Sequence, residues 1–340
     1  MKKVPVKEAI GMVLCHDITE IIPGEFKGVA FKKGHIIKEE DVERLLNLGK
    51  NNIYIWEVKE GVIHENQAAG RIAKAAIGSH IEITEPKEGK VSLKAKIKGL
   101  LKVNIKALEM INDIDEAMFA TLHTDIIVNK GMELGGTRII PLVIEETKII
   151  EIENICKEEG PIIEVLPLNP MKVGIITTGS EVFTGRIEDK FGPVLTKKVE
   201  DLNGKVIKQE FAPDDASIIS NKIKQLIDLG VDIILTTGGM SVDPDDVTPT
   251  GIKNAGANIE TYGAPTLPGA MFLLSYIGDV PVLGLPGCVM YCKTTIFDLV
   301  LPRLMAGERI SKKDIRRLGH GGLCLNCEIC IFPNCSFGKW

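Results

Sequence analysis

The residues best suited to chemistry lie in one stretch, Val231 to Thr250, which reads VDIILTTGGMSVDPDDVTPT. Ile233, Ile234 and Leu235 have the character of a fully buried strand. Thr236, Thr237, Gly238 and Gly239 follow directly. Paired glycines at a strand end let backbone N–H groups approach a ligand, because no Cβ intervenes. Asp243, Asp245 and Asp246 come next, and then Thr248 and Pro249, which suit a helix start with Thr248 as its cap. In this order the turn suits an anion and the carboxylates suit a hard cation such as Mg²⁺. In isolation the same residues also fit a tight turn flanked by solvated aspartates.

A second concentration of reactive groups is at the C-terminal end. Cys15, Cys156, Cys288 and Cys292 are scattered, whereas Cys324, Cys327, Cys330 and Cys335 crowd into the tail GHGGLCLNCEICIFPNCSFGKW. In a reducing compartment such a cluster reads as a metal site rather than a disulfide frame. Four thiolates suit an iron–sulfur cluster or a structural Zn²⁺, and His320 is a competing ligand. The basic run before it, Lys312, Lys313, Arg316 and Arg317, reads as a solvated face. His16, His64, His80 and His123 are isolated and read as structural.

A chain of 340 residues has room for two or three domains with real cores. A net charge of −5 disfavours nucleic acid as a partner. No apolar run approaches the roughly 20 residues of a membrane span. The opening MKKVPVKEAIG lacks the apolar core of a secretory signal, so a cytoplasmic location is expected.

The elements that must position these groups are legible in part. Residues 1–60 read as a small mixed module, with a short helix at Val6 to Ile10, a strand at His35 to Ile37, a helix at Glu39 to Leu48 and a strand at Ile53 to Trp56. Residues 61–168 read as an α+β region of uncertain role. There, Glu65 to Ile77, Ile105 to Ile111 and Glu145 to Lys157 are helices, and His80 to Thr84 pairs with Val91 to Ile97. Gly135, Gly136, Thr137 and Arg138 read as a turn or a phosphate contact. After Pro167 and Pro170 the chain alternates strands and helices up to a long helix at Val289 to Leu304, defining a domain over 169–308 and a Cys-rich tail over 309–340. Such alternation predicts a parallel sheet covered by helices on both faces, with ligands at the carboxyl ends of the strands. Three strand ends carry polar glycine turns: Thr178, Gly179, Ser180 and Glu181; Thr237, Gly238, Gly239 and Ser241; and Pro286 with Gly287.

Taken together these motifs resemble the molybdopterin-binding domain of molybdenum cofactor biosynthesis. TTGSE at Thr177 to Glu181, PDD at Pro213 to Asp215, TTGGMSVDPDDVTP and GLPG at Gly284 to Gly287 match its pattern in order, with Cys288 in place of the usual Asn-Pro continuation. EAIGMVLCHDIT, starting at Glu8, loosely resembles the opening of the molybdopterin molybdenumtransferases, but no DGYA-type acidic stretch follows and the cysteine tail replaces their β-barrel domain. The resemblance implies a three-layer α/β domain that binds molybdopterin, with phosphate at Gly238, Gly239 and Ser241. It implies Asp214 and Asp246 as the functional carboxylates, with Asp243, Asp245 and Thr248 beside them. Molybdate insertion is the activity most in keeping with it, with adenylyl transfer from ATP or a carrier role serving a molybdoenzyme as alternatives. It also implies a homo-oligomer.

Overall fold

The computed structural model describes residues 2–22, 25–55 and 60–339. The chain forms two units, one of Met1–Ala95, Asn104–Leu122 and Met132–Glu164, the other of Lys96–Val103, His123–Gly131 and Val165–Trp340.

In the first unit, Leu45 of helix Glu39–Asn47 packs with Val4, Val6, Leu14, Ile18, Phe31 and Ile53 in a small core. The helix expected from Val6 shrinks to a single 3₁₀ turn, Val6–Glu8. The strand expected at His35 to Ile37 is only an isolated bridge between Ile36 and Val13. Trp56 lies outside the described residues. The alanine-rich helix Glu65–Ala76 fully buries Ala68, Ala69, Ala73 and Ala76. Gly135 and Gly136 are not in a turn but inside strand Glu133–Ile139. Neighbouring backbone explains them: a Cβ on Gly135 would meet the Ala120 carbonyl oxygen at 2.4 Å.

The second unit is built on six strands: β1 (Lys172–Thr178), β2 (Lys205–Ala212), β3 (Ile233–Thr237), β4 (Asn258–Tyr262), β5 (Leu273–Ile277) and β6 (Val280–Leu285). Their order is β2-β1-β3-β6-β5-β4. The four strands β2, β1, β3 and β6 are parallel, and β5 alone runs the other way, pairing antiparallel with β6 on one side and β4 on the other. The sheet is mainly parallel, as expected; the exception arises at Gly278-Asp279, a two-residue connection in which Gly278 takes φ +58° and turns β5 back along β6.

Helices cover both faces. On one side, α2 (Phe191–Glu200) and α5 (Ile296–Met305) place Leu195, Val199, Phe297 and Val300 against Val173, Ile175, Ile233 and Leu235. On the other, α3 (Ala216–Asp228) and α4 (Thr248–Asn254) place Ile219, Ile223 and Ile252 against Ile176 and Ile234. The alternation of Ile233, Ile234 and Leu235 between faces is the period-2 pattern of a strand buried on both sides. Two short helices, α1 (Ser180–Phe183) and α6 (Lys312–Arg317), and an antiparallel strand pair, Gly99–Val103 with Ile126–Val128, also belong to the unit. The long helix expected from Val289 is instead a 3₁₀ turn, Gly287–Met290, followed by α5. Thr295 and Asp298 form a capping box that fixes the helix start at Ile296. No described helix is long and apolar enough to cross a membrane.

An ion-pair network links separate segments of this unit. Lys102 Nζ lies 2.5 Å from both Asp125 and Glu308, and Arg303 Nε lies 2.6 Å from Glu308. Burial raises the Glu308 pKa, but the bonds from Lys102 and Arg303 outweigh it and leave the carboxyl below its ordinary 4.5. A depressed folded-state pKa means stabilisation that is present above about pH 4.5 and lost as pH falls through the folded value. Glu308→Gln should therefore cost about 2 kcal/mol in urea unfolding at pH 7, less than a fully buried pair because solvent reaches the site, and the deficit should shrink below pH 4.5.

Candidate functional site

The register of the parallel strands brings the predicted turns to one sheet edge. Thr178 is level with Ala212, Thr177 with Thr237, and Thr237 with Leu285. The residues that follow those ends are Gly179, Pro213, Gly238 and Pro286, so all four connections leave from the same edge. The Gly179 N–H donates to the Ala212 carbonyl at 3.1 Å, joining the first two turns directly.

Burial divides the sequence-predicted residues into two kinds. Thr178, Thr237 and Thr248 are at most 3% exposed, and Gly179 and Pro286 are also buried, so these five shape the edge from within. Ser180, Glu181, Ser241, Asp243, Asp245 and Gly287 face solvent, and Asp214, Asp246, Gly238 and Gly239 are half-buried. Thr248 does not cap α4; its hydroxyl is 3.0 Å from that of Thr178, which also bonds the Thr237 carbonyl at 3.0 Å. Thr178→Val preserves shape but leaves the Thr248 hydroxyl buried without that partner. It should lower the urea midpoint by the equivalent of about 1–3 kcal/mol at an unchanged m-value.

The two glycines have left-handed backbones, with φ +83° at Gly238 and +54° at Gly239. Their missing side chains make room for protein. A Cβ on Gly238 would stand 2.2 Å from the Thr178 carbonyl oxygen, and one on Gly239 would stand 2.7 Å from the Thr248 hydroxyl. The turn is thus wedged between β1 and α4.

Each key carboxylate uses one oxygen to hold its own loop. Asp214 Oδ2 accepts from the Ser180 N–H at 2.9 Å, and the Asp214 N–H donates back to the Ser180 hydroxyl at 3.4 Å. Helix α3 is capped by the next residue, Asp215, which accepts from Ser217 and Ile218. Asp246 Oδ2 accepts from the Asp243 N–H at 3.0 Å, and the Asp246 N–H donates to the Asp243 carbonyl at 2.9 Å, closing the acidic loop. Among the described residues, no group of three or more His, Cys, Asp or Glu is arranged to hold a metal ion.

Three features were not read from the sequence. Tyr262, at the end of β4, donates its hydroxyl to the Met240 carbonyl at 2.9 Å and so steadies the corner before the acidic loop. Partial burial raises its phenol pKa, and the nearby Asp246 charge adds to the effect. Gln209 bonds the Thr177 hydroxyl at 3.1 Å and Asp189 at 2.6 Å, while Asp189 accepts from the backbone of Phe191 and Gly192 at the start of α2. A cleft of about 400 Å³, lined by Val182, Phe183, Gly185, Ile187, Asp189 and Phe211, opens beside this network. Tail residues Cys324, Cys327, Cys330 and Cys335 line another cavity, of about 570 Å³, together with Cys292.

Residues 174–306 match a family model described as a probable molybdopterin binding domain. This segment is similar to the molybdopterin-binding domain family. Residues 3–57 match a domain of unknown function (DUF8806). CinA-like proteins of Mycolicibacterium gilvum and Mycobacterium leprae are 36% and 34% identical over 77 residues, 23% of this chain. The match spans only 18% of the length of those relatives. The tungsten cofactor synthesizing protein MoaB from Pyrococcus furiosus is 23% identical at a TM-score of 0.33, covering 41% of this chain and 92% of its own. The matched segment takes in the three strand-end turns, and the tail after residue 306 lies beyond it.

Proposed function

We propose that this chain works in molybdenum cofactor biosynthesis by binding molybdopterin across the strand-end turns and directing molybdate onto its dithiolene. The observation that carries this reading is the register that levels Thr177, Thr237 and Leu285 at the edge where Asp214 and Asp246 also stand. Ser180, Glu181, Gly238, Gly239, Ser241 and Gly287 contact the terminal phosphate and its tether. The apolar walls of the neighbouring cleft, Phe183 and Phe211 among them, suit a flat heterocycle. Asp214 and Asp246 each retain one carboxylate oxygen beyond the loop-holding bond, and Asp243 and Asp245 are exposed. Either free oxygen would help to hold a Mg²⁺ carried mainly by the phosphate and water, and the cation would neutralise phosphate charge there. A cytoplasmic homo-oligomer delivering product to a molybdoenzyme fits the same reading.

Adenylyl transfer from ATP would use the same edge. Purified protein given molybdopterin, Mg²⁺ and either molybdate or α-³²P-labelled ATP separates the reactions. Molybdenum retained on the pterin without label transfer supports insertion, label transfer without molybdenum retention supports adenylylation, and neither with tight molybdopterin binding supports a carrier.

A further inference from the structure

In the first unit, strand Glu133–Ile139 lies between Val91–Ala95 and Ala117–Thr121 in an antiparallel sheet. Gly136 is opposite Ser92 on one side and Ala120 on the other, and Arg138 is opposite Met118. Alternation along a strand puts Gly136, Arg138 and these partners on one face. Thr137, with its partners Val91 and Phe119, takes the opposite face, and all three are at most 3% exposed. The Gly136 face is open: Ala120 is exposed, and so is Met118. Two cavities lie on it. A trough of about 320 Å³ is lined by Met118, Ala120, Leu122, Gly135 and Gly136, and a basin of about 490 Å³ by Lys27, Lys87, Thr19, Thr84 and Ser92. Lys90 and Arg138 line both, so the two meet at these cations.

The basin has a positive excess in a chain of net charge −5. Lys27, Lys87, Lys90 and Arg138 border it, against the carboxylates Glu85 and Glu88. Glu88 already accepts from the Thr19 hydroxyl at 3.0 Å. Lys90 has only an exposed, 3.4 Å pair with Glu133, which is worth little. Among the described residues, Lys27, Lys87 and Arg138 are in no ion pair. Arg138 bonds through Nε to the Ile139 carbonyl at 3.2 Å, which leaves its two terminal nitrogens for a ligand. Burial raises the pKa of Glu65 nearby, and the Arg138 charge acts against that rise.

The turn that carries two of the lysines is fixed before any ligand arrives. Lys87 and Lys90 exchange backbone bonds at 2.9 and 3.0 Å, and the Gly89 N–H donates to Asn66 Oδ1 at 2.9 Å. Gly89 takes φ +72°, and a Cβ there would stand 2.2 Å from Glu65 Oε2, so the turn seats closely on the start of helix Glu65–Ala76. A preset turn costs less to order on binding. A Cβ on Gly136 would lie 3.3 Å from Lys90 Cε, so the lysine stem runs along the trough. Ammonium groups and a forked guanidinium suit phosphate. The trough suits a flat ring, because Gly135, Gly136 and Ala120 raise no bulk above the strands and Met118 gives an adaptable apolar edge.

We propose that this face of the first unit binds a phosphorylated planar heterocycle, with the ring over Gly136 and Ala120 and the phosphate at Arg138, Lys90 and Lys87. A nucleotide and a pterin phosphate share that chemistry. The phosphate contact read from residues 135–138 is thereby placed on a strand instead of a turn. The site does not depend on the strand-end turns of the second unit.

The test is calorimetric titration of the full-length protein with ADP, with molybdopterin and with inorganic pyrophosphate. Arg138→Gln should weaken the heterocycle and pyrophosphate alike by at least about tenfold, and Arg138→Lys should recover part of the loss. Ala120→Phe fills the trough from an exposed position on the edge strand and leaves the charges alone. It should weaken the heterocycle by at least about tenfold and leave pyrophosphate unchanged, a split that a general loss of structure would not give. Whichever of ADP and molybdopterin loses a binding event in both variants is the occupant. If molybdopterin loses its only event in this way, the present site stands and the strand-end one falls. Binding unchanged in Arg138→Gln and Ala120→Phe overturns the proposal and leaves the strand-end reading intact. Wild type that binds none of the three overturns both.

Discussion

Asp246→Asn should slow molybdate insertion by at least about 100-fold while changing unfolding free energy by less than about 0.5 kcal/mol. The two effects separate because Asp246 has two tasks. One oxygen accepts from the Asp243 N–H and closes the acidic loop. An asparagine carbonyl accepts the same bond, so the loop keeps its shape. What is lost is the negative charge on the edge, which the proposed reaction uses to hold a cation or steady the oxyanion. The measurement is the insertion rate at saturating molybdopterin beside a urea unfolding curve. A variant with near-normal rate would remove Asp246 from the chemistry. A variant that loses rate and stability together would mean that its loop bond is its whole contribution.

The second large effect is structural. Gly238→Ala should destabilise the protein by about 3 kcal/mol or more and abolish molybdopterin binding. The left-handed backbone at φ +83° by itself costs a non-glycine residue about 1–2 kcal/mol. The added methyl would stand 2.2 Å from the Thr178 carbonyl oxygen, which β1 holds in place, so the turn must move. Gly239→Ala should be milder, since its methyl meets a side-chain hydroxyl, Thr248 Oγ1, at 2.7 Å. Thermal unfolding with pterin fluorescence measures both. A larger loss for Gly239→Ala than for Gly238→Ala would contradict the wedge between β1 and α4.

The domain was legible because its signals are local. Buried apolar runs ending in glycine turns set β1, β3 and β6, and the stripe of Ile219, Ile223 and Leu226 set α3. The motif order pointed to the family whose model matches residues 174–306. Reversal of β5 against β6 was missed, although Gly278-Asp279 is a hairpin signal, because the surrounding alternation suggested continued parallel order. The start of α5 was placed too early because Val289 is buried and apolar, yet the Thr295–Asp298 capping box was present in the sequence. Gly135 and Gly136 misled because a glycine pair usually marks a turn, whereas here close strand approach requires it. Division of labour within the site was not legible. Nothing in the string TTGG tells that Thr178 and Thr248 share a buried hydroxyl pair, or that Asp214 grips Ser180 while Asp215 caps the helix. Tyr262 and Cys292 reach their places through tertiary contacts with no sequence neighbour to announce them.

The most direct test of the binding edge is amide hydrogen exchange with and without molybdopterin. Slower exchange is expected together in residues 178–181, 238–246 and 286–288, three segments far apart in sequence and level in the sheet. Slowing confined to one of them, or found only elsewhere in the chain, would contradict a single ligand lying across all three turns.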